Sequence, residues 1–264
     1  MTIRFYTREN FVEWFRGNRE KPLVYEDEGV RSLHFGCLEV QSSMRLSDPY
    51  DLELSYTQTM MGFLLFISEP KHILIVGLGG GSLSKYCYRN FLNSRITTLE
   101  INPEVIAIRD DFLIPKDDDR FQILQTDASN FLAQSDIQAD IILLDGYDAE
   151  GLPASLRAES FYSHCWRILE PGGVLVANFL GNDQFLSDYL DRLYSIFNRR
   201  VWKSKAFEGT NLIAFAVKDE KYIPHWPSLF MKAHGLADRY KLDLPKVVRN
   251  MRQSQSQTKT KNII

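Results

Sequence analysis

The strongest constraint on the fold is a regular alternation of short apolar runs and helical segments that begins at Lys71. Five of these runs have the length of strands and are apolar on both faces, as is typical of strands in a parallel sheet that helices cover on both sides. The five runs are HILIVG (72–77), RITTLEI (95–101), FQILQTD (121–127), ADIILLDG (139–146) and GGVLVANFL (172–180). The sequence therefore predicts an α/β domain with a doubly wound sheet.

Two more strands are predicted at 201–207 and 212–217, separated by the turn EGTN. Strands joined by so short a turn are antiparallel to each other. Five parallel strands followed by an antiparallel hairpin predict a seven-stranded, Rossmann-like sheet of the class I S-adenosylmethionine-dependent methyltransferase type, rather than a plain dinucleotide-binding fold.

The chain divides into three predicted regions. Strand-like patterns around a Glu28-Gly29 turn predict a small β-rich domain over residues 1–54, with a helix at 7–17. Residues 55–245 form the predicted Rossmann-like domain. Residues 246–264 are basic and, towards their end, rich in Gln, Ser and Thr, which predicts a disordered tail.

Charge and composition exclude several classes of protein. The net charge of −3 argues against nucleic acid as the main partner, although the last 24 residues carry six basic side chains and one acid. No run approaches the roughly 20 apolar residues of a membrane span, and the N-terminus lacks a signal-peptide pattern. Three widely spaced cysteines suit a reducing cytoplasm, and the histidines show no metal-ligand spacing. We therefore expect a cytoplasmic protein without a metal.

The ends of four consecutive predicted strands carry residues suited to binding a nucleoside. The glycine-rich turn GLGGGS (77–82) follows the first strand and precedes a helix, where an open α/β sheet binds its ligand. Glu100 ends the second strand, about 20 residues later, where a carboxylate can accept both ribose hydroxyls. Asp127 ends the third strand, where an acid can accept the exocyclic amine of a purine, and Asp145 ends the fourth. Together with the terminal hairpin, this pattern favours an adenosyl sulfonium ligand, either S-adenosylmethionine or its decarboxylated form.

The segment LDGYDAEGLP (144–153) carries the chemistry beside this ligand. Asp145 and Asp148 flank Tyr147, and two carboxylates at this spacing can bind an amine and remove its proton before attack at carbon. Burial is expected to raise the pKa of such a base. The alternative interpretation is an Asx-type turn with a helix N-cap.

From about Leu23 to Val217 the sequence resembles the spermidine/spermine synthase family, the polyamine aminopropyltransferases. The resemblance includes the small N-terminal domain and the strand at Gln41. It rests on the segments SYTQTMM (55–61), ILIVGLGGGSLSKY (73–86), LEINPEVI (99–106), QTDASNF (125–131), LDGYD (144–148) and ESFYSHCWRILEPGGVLV (159–176).

The resemblance implies a role for each matching acid. The residue matching Glu100 binds ribose, the one matching Asp127 contacts adenine, the one matching Asp145 is the catalytic base, and the one matching Asp148 holds the amine. It also implies substrate contacts from Tyr147, Tyr56 and Gln58. The donor-binding residues implied by the resemblance and the strand-end pattern together are Gln41, Gly77, Gly79, Gly80, Gly81, Glu100, Asp127 and Ala128.

The sequence departs from the family pattern at two places. The family's glycine turn usually reads GGGDGG, and its acid, which binds the amino group of the transferred aminopropyl chain, aligns with Gly80. The substrate-side tyrosine near the terminal hairpin is also absent, and the chain offers Phe207 and Glu208 instead.

Three functions follow from these observations. The first is aminopropyl transfer from decarboxylated S-adenosylmethionine to a polyamine-type amine, which the retained Asp145 and Asp148 favour. The second is methyl transfer from S-adenosylmethionine, which the missing acid at Gly80 favours. The third is a non-catalytic adenosyl-binding protein, against which the intact acids argue. The expected partner is a small-molecule amine, with neither nucleic acid nor membrane, and a homodimer is left open.

Overall fold

A computed structural model describes residues 3–5, 22–35, 40–148 and 150–261. The predicted helix at 7–17 lies outside them. The described strands are β1 Ile3–Phe5, β2 Pro22–Asp27, β3 Val30–Phe35, β4 Val40–Arg45, β5 His72–Val76, β6 Arg95–Glu100, β7 Phe121–Gln125, β8 Ala139–Leu144, β9 Leu169–Leu180, β10 Val201–Lys205 and β11 Asn211–Val217.

The larger sheet has seven strands in the order β10-β11-β9-β8-β5-β6-β7. Strands β5 to β9 pair in parallel, whereas β11 runs antiparallel to both β9 and β10. The predicted seven-stranded methyltransferase-type sheet is therefore confirmed. The chain winds outward from β5 on one side through β6 and β7, and on the other through β8 and β9, so a crevice opens at the carboxyl ends of these strands.

The N-terminal segment forms a separate four-stranded sheet in the order β1-β2-β3-β4. Glu28 and Gly29 join β2 to β3 with positive φ angles of 46° and 77°, which is the backbone twist that a two-residue hairpin turn requires. The sequence patterns predicted this hairpin and β4. They missed β1, which pairs in parallel with β2.

Helices cover both faces of the larger sheet. They are α1 Ser55–Met60, α2 Ser82–Asn90, α3 Pro103–Ala107, α4 Ala128–Gln134, α5 Ala154–Arg157, α6 Glu159–Ile168, α7 Leu186–Ile196, α8 Trp226–Tyr240 and α9 Leu244–Lys261, with a 3-10 helix at Met61–Leu65. Among the described residues, no helix is long and apolar enough to span a membrane.

The apolar core consists of two clusters, one on each face of the larger sheet. Val24, Leu33 and Met44 of the small sheet belong to the same cluster as Ile73 and Ile75 of β5. The small sheet therefore shares this core, and β4 lies next to the glycine turn at the head of α2, where the Ser42 and Ser82 hydroxyls are 3.2 Å apart.

The C-terminal region differs from its prediction. Residues 246–261 lie in helix α9 rather than in a disordered tail, and Val247, Val248 and Met251 are buried in the core. Asn250 donates to the carbonyl oxygen of Lys205, 3.3 Å away, so the helix lies along the edge strand β10. Although the segment is basic overall, its apolar residues are spaced to lie on one face of a helix. Burial of this face against the core stabilises the helix.

Candidate active site

A cavity of about 990 Å³ opens at the carboxyl ends of the central strands, beneath the small sheet. Its wall includes ten of the thirteen residues that the sequence predicted for the site. These are Gln41, Tyr56, Gly77, Gly79, Glu100, Asp127, Ala128, Asp145, Tyr147 and Asp148. The strand-end argument therefore brought together residues that lie more than 100 positions apart in the chain.

The glycine turn after β5 lies in close contact with the loop that follows β8. Gly77 has a φ of +96°, and a Cβ added there would lie 2.2 Å from the carbonyl oxygen of Asp145. No side chain fits at this position, so glycine permits both the backbone angle and the approach of the loop that carries Asp145.

Glu100 is fixed by two backbone hydrogen bonds at the end of β6. Its Oε2 accepts from the Leu78 amide and its Oε1 accepts from the Asn102 amide, both at 2.8 Å. Because the carboxylate bridges the glycine turn and the loop after β6, its remaining lone pairs are held in a constant position at the cavity wall. This is the arrangement expected of a group that binds two vicinal hydroxyls.

Two neighbours of Glu100 provide a surface for a flat ring. Ile101 is 63% exposed and lines the cavity, so its side chain offers an apolar face to a ligand bound there. Asp127 lies two residues after the end of β7 and caps α4, since its Oδ1 accepts from the Asn130 amide at 2.9 Å. An apolar face beside a carboxylate suits a nucleobase with an exocyclic amine.

Asp145 lies deeper in the cavity and is held at both oxygens. Tyr56 donates from its hydroxyl to Oδ2 at 3.1 Å, and Asn178 donates from its side-chain amide to Oδ1 at 2.9 Å. Burial raises the pKa of Asp145, while these two hydrogen bonds oppose the rise. The expected upward shift is thus confirmed.

Tyr147 and Asp148 continue the same loop in different ways. The Tyr147 hydroxyl donates to the Asn178 carbonyl at 3.0 Å and accepts from the Leu180 amide at 3.1 Å, so it anchors the loop to β9. Asp148 is exposed, and its Oδ1 accepts from the Glu150 amide at 2.8 Å in an Asx turn. Its Oδ2 accepts no hydrogen bond from the described residues, so the turn and an amine-binding role are compatible.

Three predicted site residues, Gln58, Gly80 and Gly81, are not among the described residues that line the cavity, and their contacts with substrate or donor stay predictions. Gln58 instead donates from its side chain to the Leu52 carbonyl at 2.8 Å. A Cβ on Gly80 would lie 2.7 Å from both the Phe112 ring and the Ser42 hydroxyl. A Cβ on Gly81 would lie 2.5 Å from the side chain of Ile114. The position of the family acid is therefore closed by packing.

Sequence reasoning missed Asn178, which is only 3% exposed and contacts Asp145 directly. It stands near the carboxyl end of β9 as a single amide among apolar residues. The rule that identified the acids at the other strand ends, applied to the fifth strand, would have found it. Glu208, which the chain offers near the hairpin where the family has its substrate-side tyrosine, also lines the cavity.

The cavity wall is strongly acidic. The described residues lining it include seven carboxylates and no lysine, arginine or histidine. The seven are Glu53, Glu100, Asp127, Asp145, Asp148, Glu150 and Glu208. Glu53 pairs with Arg45 at 2.6 Å, and the described part of the chain supplies no ion pair to the other six. Such a surface attracts cations.

Metal binding finds no support in these acids. Among the described residues, no group of three or more His, Cys, Asp or Glu side chains is arranged to hold a metal ion.

Residues 53–196 match the family model described as the spermine/spermidine synthase domain. The sequence is 36% identical over 236 residues to a polyamine aminopropyltransferase from Chromobacterium violaceum. That alignment covers 89% of this chain and 90% of the relative.

Solved structures share the fold. A probable spermidine synthase from Corynebacterium glutamicum matches with a TM-score of 0.68 and 20% identity, covering 81% of this chain and 84% of that one. Human methyltransferase-like protein 13 in complex with SAH matches with a TM-score of 0.65 and 23% identity, covering 71% of this chain and 92% of that one.

Proposed function

Because the chain belongs to the spermine/spermidine synthase family, we propose that it transfers an aminopropyl group from decarboxylated S-adenosylmethionine to a small cationic amine. Asp145 is the proposed base and Asp148 the proposed holder of the amine. The polyamine aminopropyltransferase relatives are transferases, and the proposal extends their activity to named residues of this chain.

The acidic cavity wall is the observation that carries this proposal. S-adenosylmethionine has a carboxylate at the end of its methionine chain, whereas the decarboxylated form has none. Seven carboxylates and no cation among the described wall residues leave the extra carboxylate without a partner and surround it with like charge. Two like charges about 4 Å apart repel by about 1 kcal/mol in water and about 4 kcal/mol near a protein surface. The wall therefore favours the donor that lacks a carboxylate.

The adenosyl part of the donor fits the outer half of the crevice. Glu100 would accept the two ribose hydroxyls, since both its oxygens are already fixed by backbone amides. Asp127 would accept the exocyclic amine of adenine, and Ile101 would lie against the ring. This placement directs the sulfonium end of the donor towards Asp145.

In the proposed reaction the amine nitrogen attacks the methylene carbon next to the sulfonium. A new C–N bond forms, the C–S bond breaks with its electrons passing to sulfur, and methylthioadenosine leaves. The proton lost by the amine goes to Asp145, because burial raises the pKa of this carboxyl group. Tyr56 donates to Oδ2 of Asp145 and so helps to hold the carboxylate in place at the cavity wall. Positioning of the two substrates would supply most of the rate.

The acids at the cavity mouth define the class of acceptor. Asp148, Glu150 and Glu208 line this part without an ion pair from the described residues. A diamine or longer polyamine places one nitrogen at Asp145 and a second, protonated nitrogen within reach of these groups. A neutral acceptor would leave their repulsion uncompensated.

Methyl transfer is the second candidate, and the environment of Gly80 favours it. The family acid that binds the transferred aminopropyl chain is missing there, and packing by Phe112 and Ser42 leaves no room for it. In that reaction the acceptor attacks the methyl carbon, and S-adenosylhomocysteine leaves.

Calorimetric titration with the two donors tests the choice between them. We expect decarboxylated S-adenosylmethionine to bind at least about tenfold more tightly than S-adenosylmethionine at low ionic strength, because the carboxylate of the latter meets like charge. The difference should shrink as salt is added, while 5′-methylthioadenosine, which has no charged chain, serves as the control. Equal or tighter binding of S-adenosylmethionine would favour methyl transfer instead.

A further inference from the structure

A row of hydrogen bonds crosses three strands and ends at Asp145. Asn211 donates from its side-chain amide to Oδ1 of Asn178 at 3.0 Å. Asn178 in turn donates from Nδ2 to Oδ1 of Asp145 at 2.9 Å. We call these two asparagines the amide pair.

Strand register puts the amide pair in place. Leu144 of β8 is paired with Ala177 of β9, so Asp145 and Asn178 are the next residues on adjacent parallel strands. Asn178 is paired with Ile213 of β11, and Asn211 lies two positions earlier on that antiparallel strand. Because β11 reverses direction, its first residue meets the carboxyl end of β9.

The amide pair determines which end of the Asn178 side chain faces Asp145. An asparagine amide can present either its oxygen or its nitrogen, and only the nitrogen donates to a carboxylate. Asn211 donates to the oxygen of Asn178 and so directs the nitrogen towards Asp145. With Tyr56 donating to the other oxygen, both ends of the carboxylate are held.

Asn178 is suited to act through Asp145 rather than on a substrate. Its side chain is almost fully buried, and both polar atoms of its amide are occupied within the protein. Its backbone carbonyl also accepts from the Tyr147 hydroxyl, so the loop that carries Asp145 and Asp148 is tied to the same residue.

We propose that Asn178, oriented by Asn211, is a positioning residue that holds the Asp145 carboxylate at the angle needed to receive the proton of the acceptor amine. The inference rests on the proposed role of Asp145. It assigns a function to Asn178 and Asn211, which are not among the acids predicted at the strand ends.

The amide pair also affects the proton affinity of Asp145. A donor to a carboxylate favours its charged form, so removal of Asn178 raises the pKa of Asp145 further above its ordinary value. Within the described part of the chain, the titratable groups that interact with Asp145 are the phenols of Tyr56 on α1 and of Tyr147 on its own loop, and burial raises both of their pKa values. Both phenols stay neutral while Asp145 titrates, so they do not contribute to the same limb of the pH–activity profile. Because removal of Asn178 raises the pKa of Asp145, this limb should move to higher pH in a variant without Asn178.

The test combines carboxyl NMR titration of the full-length protein with steady-state kinetics on Asn178→Leu, Asn178→Gln and Asn211→Leu. The Asp145 resonance is identified by its loss in Asp145→Asn. We expect Asn178→Leu to raise the pKa of Asp145 and to lower kcat at least about tenfold, with a smaller change in KM for the amine. Asn211→Leu keeps Asn178 and should give the same changes in weaker form. Asn178→Gln should restore part of the activity.

The control is Asn93→Leu, which makes the same change at an exposed position away from the cavity and should change neither quantity. The inference is overturned if folded Asn178→Leu and Asn211→Leu leave the pKa of Asp145 unchanged, whether or not kcat falls. The titration uses the protein without substrate, so it decides the positioning role even if the wild type makes no methylthioadenosine. A wild-type protein that makes no methylthioadenosine would count against the proposed function alone.

Discussion

Replacing Asp145 with Asn is expected to lower turnover by about 100-fold or more while leaving the affinity for the adenosyl donor nearly unchanged. The amide has almost the same shape but cannot take the proton of the amine, and general base catalysis by one positioned group is worth about 10²- to 10⁴-fold. Donor binding should survive because Glu100, Ile101 and Asp127 make its proposed contacts. Steady-state kinetics with a panel of diamines, together with titration of the donor, measures both quantities.

Two matched variants separate the role of Asp145 from a general loss of charge. Asp188→Asn removes a carboxylate from the exposed first turn of α7 and should leave the kinetics unchanged. Asp148→Asn should mainly raise KM for the amine, because this residue lies at the cavity mouth and not beside the reacting nitrogen. Full turnover by Asp145→Asn would show that the base is another group.

Replacing Glu100 with Ala is expected to weaken donor binding by roughly 10- to 150-fold. The change removes a charged acceptor for two hydroxyls, which costs on the order of 1.5–3 kcal/mol. It also leaves the amides of Leu78 and Asn102 without their acceptor, so the glycine turn loses a support. Calorimetric titration with the donor measures the change, and thermal unfolding establishes that the variant is folded.

The matched control for this variant is Glu104→Ala, four residues later in the exposed first turn of α3. It alters the net charge equally without touching the cavity, so its donor affinity should equal that of the wild type. If folded Glu100→Ala binds the donor as tightly as the wild type, the ribose lies elsewhere.

The fold followed from local patterns that the structure preserves. Strands buried on both faces have continuous apolar sequences, and the EGTN turn admits only an antiparallel hairpin, so the number of strands and their directions could be predicted from the sequence. The C-terminal helix was missed because its buried face rests on Val247, Val248 and Met251 within a strongly basic stretch. The prediction of a disordered tail relied on the basic composition and gave too little weight to the helical spacing of these apolar residues.

The candidate site was predictable where chemistry coincides with a strand end. Glu100 is the last residue of β6, Asp127 and Asp145 come just after β7 and β8, and parallel strands place their carboxyl ends at one edge. The proposed roles of Asn178 and Asn211 depend on the register between β8, β9 and β11, which no local pattern specifies. The closure of the Gly80 position depends on the Phe112 ring, 32 residues later, which only tertiary packing brings there.

The identity of the nucleoside product tests the central claim most directly. The wild-type protein is incubated with a diamine and either decarboxylated S-adenosylmethionine or S-adenosylmethionine, and the products are identified by mass. The account predicts methylthioadenosine together with an amine that has gained one aminopropyl group, formed only from the decarboxylated donor and lost in Asp145→Asn. S-adenosylhomocysteine together with a methylated acceptor, and no methylthioadenosine, would contradict it.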